Sequence, residues 1–573
     1  MKTSLPSTVD HAVDQPTGIG WAIWIVAAAL PWLWPVHGEP WPVFYSEALA
    51  AAAMVPIGLW LVMRGQSKWA LDRTVFAMLA IAPVPLIQAQ FGLVVFEGEA
   101  WLVFLYIIAC AAMALLARQA QVVDPWRLAE ALFAALAVAA LLSAGLTLYQ
   151  WLEQDWLGIL VHYRLVSGRA YANLGQPNNL ATLLCWGVLA LWWGYHRRKL
   201  SGAVAAAATG FLLLGVVLTR SRTGWLEVAI LACSALYIRW RHRTGPQARS
   251  VVLLSAWFVV LAAGLEPVAH QVLRETPAAL SNQTATGLRP AIWKVAIDEV
   301  TQQPLTGYGW NQGAPAYLSV VERHADVRRV INHAHNVLLD LLVWNGVPLG
   351  ALIMVAFAWW ARAQWQACRT QEQRLLLLAL AIFVSHALLE FPHTYLFFLL
   401  PAAAMMGTLG AVTPRAPVLA ISRWIGGTAV LGLGLVLGTT VLDYQAIERD
   451  LQSAKMREAG VHNPYPSPSP EPVVLGFLQT ALQSLRTQPA RDLSPRQLAD
   501  MRRALDRYPL PWAMFRYATA TALAGHPDEA KWALERLCLM DSADRCAQAM
   551  RDWHELVSQG HPELAVVTLP VSR

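Results

Sequence analysis

Apolar runs of membrane-spanning length are the feature that most restricts what this chain can fold into. About thirteen such runs occur before residue 443, and a bilayer core about 30 Å thick needs roughly 20 apolar residues per helix. Charged residues make up 14% of the chain, against about 25% in a soluble domain. The 27 Trp residues agree, because indole rings concentrate at the membrane–water interface. These features predict an all-α, polytopic transmembrane helical bundle.

The positions of the runs predict about thirteen transmembrane helices. They lie near 18–36, 46–63, 74–95, 100–117, 128–149, 178–195, 201–219, 225–240, 250–266, 337–360, 375–390, 395–412 and 425–442. Several contain a proline or one carboxylate, which a membrane helix tolerates where neighbouring helices or water satisfy the freed backbone groups. No convincing cleavage site follows the first run, so we expect a retained helix there.

Basic residues cluster in the loops that follow every even-numbered run. They are Arg64, Lys68 and Arg73, Arg118 and Arg127, Arg197, Arg198 and Lys199, Arg239, Arg241, Arg243 and Arg249, Arg362, Arg369 and Arg374, and Arg415 and Arg423. The positive-inside rule assigns these loops, with the N-terminal tail 1–17, to the cytoplasm. The odd-numbered loops and the C-terminus then face the periplasm of a bacterial inner membrane. The net charge of +6 reflects this bias and predicts no nucleic-acid partner.

The rest of the chain predicts a long loop, a linker and a tail. The periplasmic loop 267–336, of roughly 70 residues, is too long for a simple connection and is expected to be functional. The Pro-rich segment 443–472 predicts a linker between the transmembrane domain, 18–442, and a periplasmic helical tail, 473–573. Helical periodicity in the tail, with a turn at 525–530, resembles one tetratricopeptide-like hairpin.

Polar motifs concentrate on the outward side of this topology. They occupy 35–42, 169–179, 219–224, 289–294, 332–336 and 386–395. Residues that merely fill loops would scatter over both sides of the membrane. Their convergence therefore predicts an active site at the periplasmic ends of the helices.

Two arginines stand in a very short outward loop, on the side that the positive-inside rule depletes of arginine. Arg220 and Arg222 are either snorkelling interface residues or part of an anion site at the membrane surface. We favour the anion site, because forked guanidinium donors bind phosphate well. Arg289 in the long loop is placed to close on the same anion, and a lipid pyrophosphate is the natural anion at that depth.

The segment 333–336, His-Ala-His-Asn, leads directly into a predicted helix. A neutral histidine there can act as a general base at physiological pH, although a His pair can also be structural. Asp340, one turn into the helix, is placed to orient its neighbours. An alternative is a metal site that adds His386, Glu390 and His393 to the two histidines. Without an Asp-x-Asp cluster, we predict no metal.

Gln176 lies in a Gly-Gln-Pro-Asn turn at the start of a predicted helix. Gly175 and Pro177 shape the turn, and an amide side chain suits sugar hydroxyls. The same turn can act as a helix cap, with Asn178 or Asn179 as the N-cap residue. The two interpretations are compatible. In the tail, a disulfide between Cys538 and Cys546 is an open alternative that no known pattern supports.

Taken together, these motifs resemble those of the PglL-type bacterial protein O-oligosaccharyltransferases. The superfamily of these enzymes also holds O-antigen ligases and O-antigen polymerases. The resemblance rests on 173–179, 221–224, 333–336 and 390–395, and on the first outward loop, 35–47, with 443–448. It covers nearly the whole chain. The Arg and His-x-His-Asn motifs are shared across the superfamily, whereas the Gly-Gln-Pro-Asn and Glu-Phe-Pro elements favour the protein-glycosylating branch.

The resemblance implies a role for each candidate residue. His335 would be the catalytic base, and Gln176 and Tyr395 would be further active-site residues. The pyrophosphate would be held by Arg222 and Arg289, assisted by Arg220. Supporting residues would be His333, Asn336, Glu390 and Asn178. Enzymes of this family are similar in working without ATP or a metal, so the expected cofactor is none.

The expected reaction is glycosyl transfer from an undecaprenyl-pyrophosphate carrier to Ser or Thr of a periplasmic or pilin protein. The partners would be a lipid-linked oligosaccharide donor, a protein acceptor and membrane lipid. An O-antigen ligase, which uses lipid A-core as its acceptor, is the closest alternative. A transporter or lipid flippase is the alternative from a different class. It would place charged residues at mid-membrane depth, whereas these lie at the outer helix ends.

Overall fold

The computed structural model describes residues 18–162, 169–273, 287–413, 417–458 and 470–570. These residues are predominantly helical, as the sequence predicts for an all-α membrane protein. The N-terminal tail 1–17, part of the long outward loop and most of the Pro-rich stretch of the expected linker lie outside the described residues.

Helices follow one another along the described chain. In chain order they are α1 (Gly18–Leu33), α2 (Phe44–Ala52), α3 (Met54–Arg64), α4 (Arg73–Ile81), α5 (Val84–Gln90), α6 (Glu97–Val123), α7 (Arg127–Trp151), α8 (Pro177–His196), α9 (Gly202–Leu218), α10 (Arg222–His242), α11 (Ala248–Leu273), α12 (Arg289–Gln302), α13 (Gly313–Val320), α14 (Val337–Ala367), α15 (Gln371–Ala387), α16 (Leu396–Val412), α17 (Arg423–Glu458), α18 (Gly476–Arg486), α19 (Pro495–Arg507), α20 (Pro511–Leu523), α21 (Pro527–Met540) and α22 (Ala543–Ser558). Strands β1 (Lys68–Leu71) and β2 (Leu419–Ser422) pair antiparallel. Short 3₁₀ turns lie at Gly158–Leu160, Val321–His324, Pro392–Thr394 and Pro562–Val566.

Within the described residues, five helical stretches are long and apolar enough to cross a membrane. They are Phe44–Arg64, Glu97–Val123, Arg127–Trp151, Val337–Ala367 and Arg423–Met456. Shorter apolar helices are Gly18–Leu33, Gly202–Leu218, Ala248–Gly264 and Leu396–Val412. The chain is therefore an integral membrane protein, and the expected count of thirteen spans stays a prediction.

Two of the expected spans are not continuous helices. The run 74–95 forms α4 and α5, which part at Pro83, because proline lacks the N–H that a helix interior needs. Helix α14 is interrupted at Gly346, where φ is 69°. A Cβ there would lie 2.4 Å from a carbonyl oxygen of the outward loop, so only glycine fits. Just before the break, the amide of Tyr308 donates to the carbonyl of Val343 at 2.9 Å. The first part of α14 thus belongs to the outward structure.

Contacts between loops sort them onto two faces of the helical bundle. On one face β1 follows the second expected span and β2 follows the twelfth, and Lys68 lies opposite Ser422 in the pair. On the same face Arg197 lies 3.5 Å from Glu372 and 3.7 Å from Glu130. All of these loops follow even-numbered spans, which agrees with the topology that the basic residues predict.

The opposite face carries the outward loops and the tail. Asp443 accepts hydrogen bonds from the backbone amides of Val474 and Leu475 at 2.6 and 3.0 Å, which fixes the start of the tail. The first part of the expected linker, 443–472, is helical, because α17 continues to Glu458. That part of the expected linker is therefore a helix that extends outward from the bundle.

The tail contains more than the one helical hairpin expected from its sequence. Helices α18 to α22 pack together, and a disulfide joins Cys538 to Cys546. Its apolar core is continuous with that of the long outward loop. Met514 and Trp553 of the tail share one buried cluster with Tyr317 of the loop. The tail is therefore docked on the outward loop.

Candidate active site

Glu390 lies at the centre of the candidate site. It follows α15 and is 6% exposed. Its Oε1 accepts hydrogen bonds from Nδ2 of Asn178 at 2.9 Å and from Nη2 of Arg289. Its Oε2 accepts from Nδ1 of His335 at 2.7 Å. One carboxylate therefore joins residues from two other outward loops that are far apart in the sequence.

The surroundings of Glu390 keep it ionised. Burial alone would raise its pKa, but hydrogen bonds and charge from His335 and Arg289 outweigh burial and hold the pKa below its ordinary value. The carboxylate is therefore a fixed negative charge at neutral pH. It accepts hydrogen bonds and does not donate them.

This carboxylate orients His335. Because Oε2 of Glu390 is an acceptor, Nδ1 of the imidazole carries the proton, and Nε2 of the neutral ring keeps its lone pair. The His335 side chain is 30% exposed, so a substrate can reach it. Its backbone has φ 52°, a left-handed conformation that is costly for a non-glycine residue and recurs at functional sites. The arrangement can accept a proton from a hydroxyl group.

The arginines of the expected anion site lie close to one another near Glu390, which Arg289 contacts directly. A Cβ on Gly287 would lie 3.3 Å from Nη2 of Arg222, which brings that guanidinium beside the segment leading to Arg289. Arg220 precedes Arg222 in the same turn and has φ 49°. Arginines from two outward loops therefore converge, and their role in binding an anion stays a prediction.

Arg169 is a further member of this cluster. Its Nε donates to the carbonyl of Thr219 at 3.1 Å, and its Nη2 donates to Oδ1 of Asn178 at 3.4 Å. Burial lowers the pKa of Arg169, and the charge of Glu390 opposes that shift. Neighbouring guanidinium groups lower it further, namely those of Arg222, Arg289 and Arg220. Among the described residues, Arg169 thus lies in the field of Glu390 and of three other arginines, and this excess of positive charge favours an anion.

A second carboxylate supports the histidine segment. Asp340 is 2% exposed. Its Oδ1 accepts from the amide of Ala334 at 2.7 Å, and its Oδ2 lies 3.1 Å from Nε2 of His393. Asp340 therefore holds the peptide next to His335.

His333 has a different environment from His335. Burial lowers the pKa of His333 to about 4, against the opposing charge of Asp340. Its ring stacks on Phe391, with centroids 5.1 Å apart. His333 is therefore a neutral, packed ring at physiological pH, which suits the supporting role that the resemblance implies.

The remaining candidates border the site. Tyr395 lies beside Phe391, with ring centroids 5.8 Å apart, and burial with nearby carboxylates raises its pKa. Gln176 itself caps α8, since its side chain accepts from the amide of Asn179 at 3.2 Å. Asn336 caps α14 in the same way, through the amide of Leu338 at 3.0 Å. The described contacts thus position Gln176 and Asn336 as helix caps next to Asn178 and His335 respectively.

The alternative metal site receives no direct support. Within the described ranges, no group of three or more His, Cys, Asp or Glu side chains is arranged to hold a metal ion. Nδ1 of His386 lies 2.9 Å from Oγ1 of Thr182, and its Nε2 has no hydrogen-bond partner in the described part of the chain, so the ring makes no hydrogen bond to Glu390 one turn away. Independence of metal stays a prediction.

Sequence reasoning did not assign Arg169 a role. It stands at the start of the 169–179 motif, but only the electrostatic effect of the other arginines on it, seen in the structure, marks it as a member of their group. The signal in the sequence was its charge on the outward side, where the positive-inside rule depletes arginine.

Three protein-family models match parts of the chain that contain candidate site residues. A family model described as O-antigen ligase matches residues 207–354, which include the arginine turn and both histidines. A model described as protein glycosylation ligase matches 170–193, around Gln176. A third, described as virulence factor membrane-bound polymerase, C-terminal, matches 374–554, which includes Glu390.

Two proteins of Acinetobacter baylyi are similar to the chain. A general O-oligosaccharyltransferase is 29% identical over 528 residues, which are 88% of this chain and 89% of that protein. A ComP-specific O-oligosaccharyltransferase is 26% identical over 243 residues, which are 42% of this chain and 44% of that protein.

Fold and site together define an integral membrane protein in which a histidine is hydrogen-bonded to a buried carboxylate beside a group of arginines. With these matches, the chain is a glycosyltransferase. The resemblance to the PglL-type protein O-oligosaccharyltransferases is confirmed.

Proposed function

We propose that this glycosyltransferase moves a glycan from an undecaprenyl-pyrophosphate carrier to a Ser or Thr hydroxyl of a periplasmic or pilin protein. The observation that carries the proposal is Glu390, which joins His335 to the arginine cluster through direct hydrogen bonds. A proton acceptor and an anion site therefore share one carboxylate. The names of the two Acinetobacter relatives support the protein acceptor.

His335 acts as the general base in this proposal. A serine or threonine hydroxyl is a weak nucleophile until its proton is removed as the new bond forms. Nε2 of His335 takes that proton, while Glu390 holds Nδ1–H and stabilises the imidazolium that results. The hydroxyl oxygen attacks C1 of the sugar as the bond from C1 to the pyrophosphate breaks. A single displacement of this kind inverts the anomeric centre.

The arginines bind the pyrophosphate of the donor. Negative charge grows on the leaving pyrophosphate as its bond to C1 breaks. Arg222, Arg289 and Arg220 stabilise that charge through forked donors, and Arg169 adds a fourth guanidinium. In the absence of donor these like charges repel one another, so binding of an anion relieves the repulsion. The reaction then needs neither a cofactor nor a metal.

The proposal places the site on the periplasmic face of the bacterial inner membrane. Basic residues concentrate in the loops of the opposite face, which favours a cytoplasmic location for that face. The disulfide between Cys538 and Cys546 lies on the face of the site, and disulfides persist in the oxidising periplasm.

Purified protein, a lipid-linked glycan and two acceptors test the proposal. A pilin-type protein and lipid A-core are each incubated with donor, with and without EDTA. Glycan on Ser or Thr of the protein, in both the presence and absence of EDTA, supports the proposal. Transfer to lipid A-core alone would make the chain an O-antigen ligase. Movement of the lipid across vesicles without transfer to any acceptor would favour a flippase.

A further inference from the structure

The contact between the tail and the start of α6 contains a buried ion pair. Nε of Arg507, at the end of α19, lies 2.6 Å from Oε1 of Glu99, and the two side chains are 12% and 4% exposed. The hydroxyl of Tyr508 reaches the same oxygen at 3.4 Å. Removing one partner of a buried pair leaves an uncompensated charge, so the pair ties the tail firmly to the membrane domain.

The same carboxylate continues the connection towards the histidine segment. Oε2 of Glu99 accepts from Nε2 of Gln312 at 3.0 Å, and Gln312 is fully buried. A Cβ on the next residue, Gly313, would lie 1.9 Å from the carbonyl oxygen of Asn332. The backbone at the start of α13 is therefore in direct contact with the backbone that leads into His333. A path of close contacts runs from Arg507 to the segment that carries the proposed base.

Apolar packing follows the same path. Tail residues such as Met501 and Met514 belong to one buried cluster with Val295 of α12 and Ile331 of the loop. Arg507 is also close enough to His333 for its charge to lower the pKa of that ring, after the larger effect of burial. The tail is thus one wall of the structure that holds 331–335.

We propose that Arg507 is a positioning residue, which uses the buried pair with Glu99 to fix the segment carrying His335. The inference rests on the proposed function, because it assigns a purpose to the position of the base. This role differs from that of a tail that only holds a protein substrate. A tail of that kind would affect large acceptors alone, whereas a positioning tail affects transfer to every acceptor.

Four variants of the full-length protein test the inference. Arg507→Gln and Glu99→Gln remove one charge each without a large change in size, and Arg507→Lys keeps the charge. Arg496→Gln is the matched control, because Arg496 is exposed on the same helix. Thermal unfolding in detergent and membrane insertion are measured first for each variant.

Hydrogen exchange in the segment 331–335 is the first readout, and it does not depend on activity. We expect faster exchange at these amides in Arg507→Gln and Glu99→Gln, recovery in Arg507→Lys, and no change in Arg496→Gln. Unchanged exchange in both neutralising variants would overturn the inference, because the segment would then be held without the pair.

Single-turnover transfer at saturating donor is the second readout, with a pilin-type protein and a short serine peptide as acceptors. A misplacement of about 1 Å can cost roughly 10²-fold in rate, so we expect Arg507→Gln to lose about 10- to 10²-fold on both acceptors. Loss confined to the protein acceptor would overturn the inference in favour of a substrate-holding tail. A wild-type protein that transfers to neither acceptor would instead refute the proposed function, while the exchange result would still stand.

Discussion

Replacement of Glu390 by Gln separates the two halves of the proposed site. Gln keeps the size of the side chain but presents one oxygen and one NH₂ group. Oε1 of Glu390 serves two donors, Asn178 and Arg289, whereas Oε2 serves only His335. We expect the amide oxygen to stay with the two donors, since each buried donor left without an acceptor costs about 1–3 kcal/mol. The NH₂ group then faces Nδ1 of His335.

That orientation inverts the tautomer of the imidazole. Nδ1 of His335 must then accept a hydrogen bond, so the proton moves to Nε2, and the ring can no longer take a proton from the acceptor. Loss of the correct tautomer costs roughly 10⁴-fold in a serine protease, and loss of a general base costs roughly 10²–10⁴-fold. We therefore expect Glu390→Gln to lower the single-turnover rate of transfer by about 10²–10⁴-fold.

Donor binding by Glu390→Gln should not fall together with the rate of transfer. Gln removes the carboxylate charge from the arginine cluster, so the cluster attracts the pyrophosphate as strongly as before or more strongly. The assay is donor binding and single-turnover transfer for Glu390→Gln and Glu390→Asp, with folded, membrane-inserted protein confirmed for both. Glu390→Asp keeps the charge and should lose less rate. Wild-type turnover in Glu390→Gln, or a loss of donor affinity as large as the loss of rate, would refute the reasoning.

Three further predictions follow from the site and the topology. His333→Asn should leave the acid limb of the pH–rate profile unchanged, and it should reduce the loss of thermal stability as pH falls from about 6.5 to 4. The reason is that the folded ring, with its pKa lowered to about 4, stays neutral in a range where the unfolded histidine binds a proton; a shifted acid limb would contradict this. Arg169→Gln should weaken donor binding without a steeper dependence of transfer on salt or on acceptor concentration. Arg169→Lys should restore only part of the donor affinity, because a point charge cannot reproduce the fork; normal donor affinity in Arg169→Gln would remove this residue from the anion site. A reporter fused after Lys199 should be active only in the cytoplasm, and one fused after the last residue only in the periplasm; activity of both on one side would refute the topology.

The sequence predicts the helices best where a single apolar run is bounded by polar residues. The expected run 128–149 lies within α7 (Arg127–Trp151), and 178–195 lies within α8 (Pro177–His196). The breaks at Pro83 and Gly346 escaped prediction, because hydropathy measures polarity and not backbone hydrogen bonding. The position of an apolar run can therefore be predicted correctly even where the run forms two helices.

The candidate site could be assembled only in part from the sequence. Asn178, Arg289, His335 and Glu390 stand in separate motifs, and the resemblance grouped them before the structure joined them through one carboxylate. The central position of Glu390 could not be predicted, because spacing along a chain does not reveal which side chains share an acceptor. Docking of the tail on the outward loop could not be predicted for the same reason. An amphipathic helix shows that it has an apolar partner, but its sequence does not show which partner.

Replacement of His335 by Ala tests the central claim most directly. The claim is that the base acts on the acceptor hydroxyl, while the arginines hold the donor. Donor binding and single-turnover transfer are measured for His335→Ala beside Arg222→Ala. We expect His335→Ala to bind lipid-linked glycan normally and to lose roughly 10²–10⁴-fold in transfer, whereas Arg222→Ala should lose donor affinity as well as rate. Near-normal transfer by His335→Ala would contradict the account.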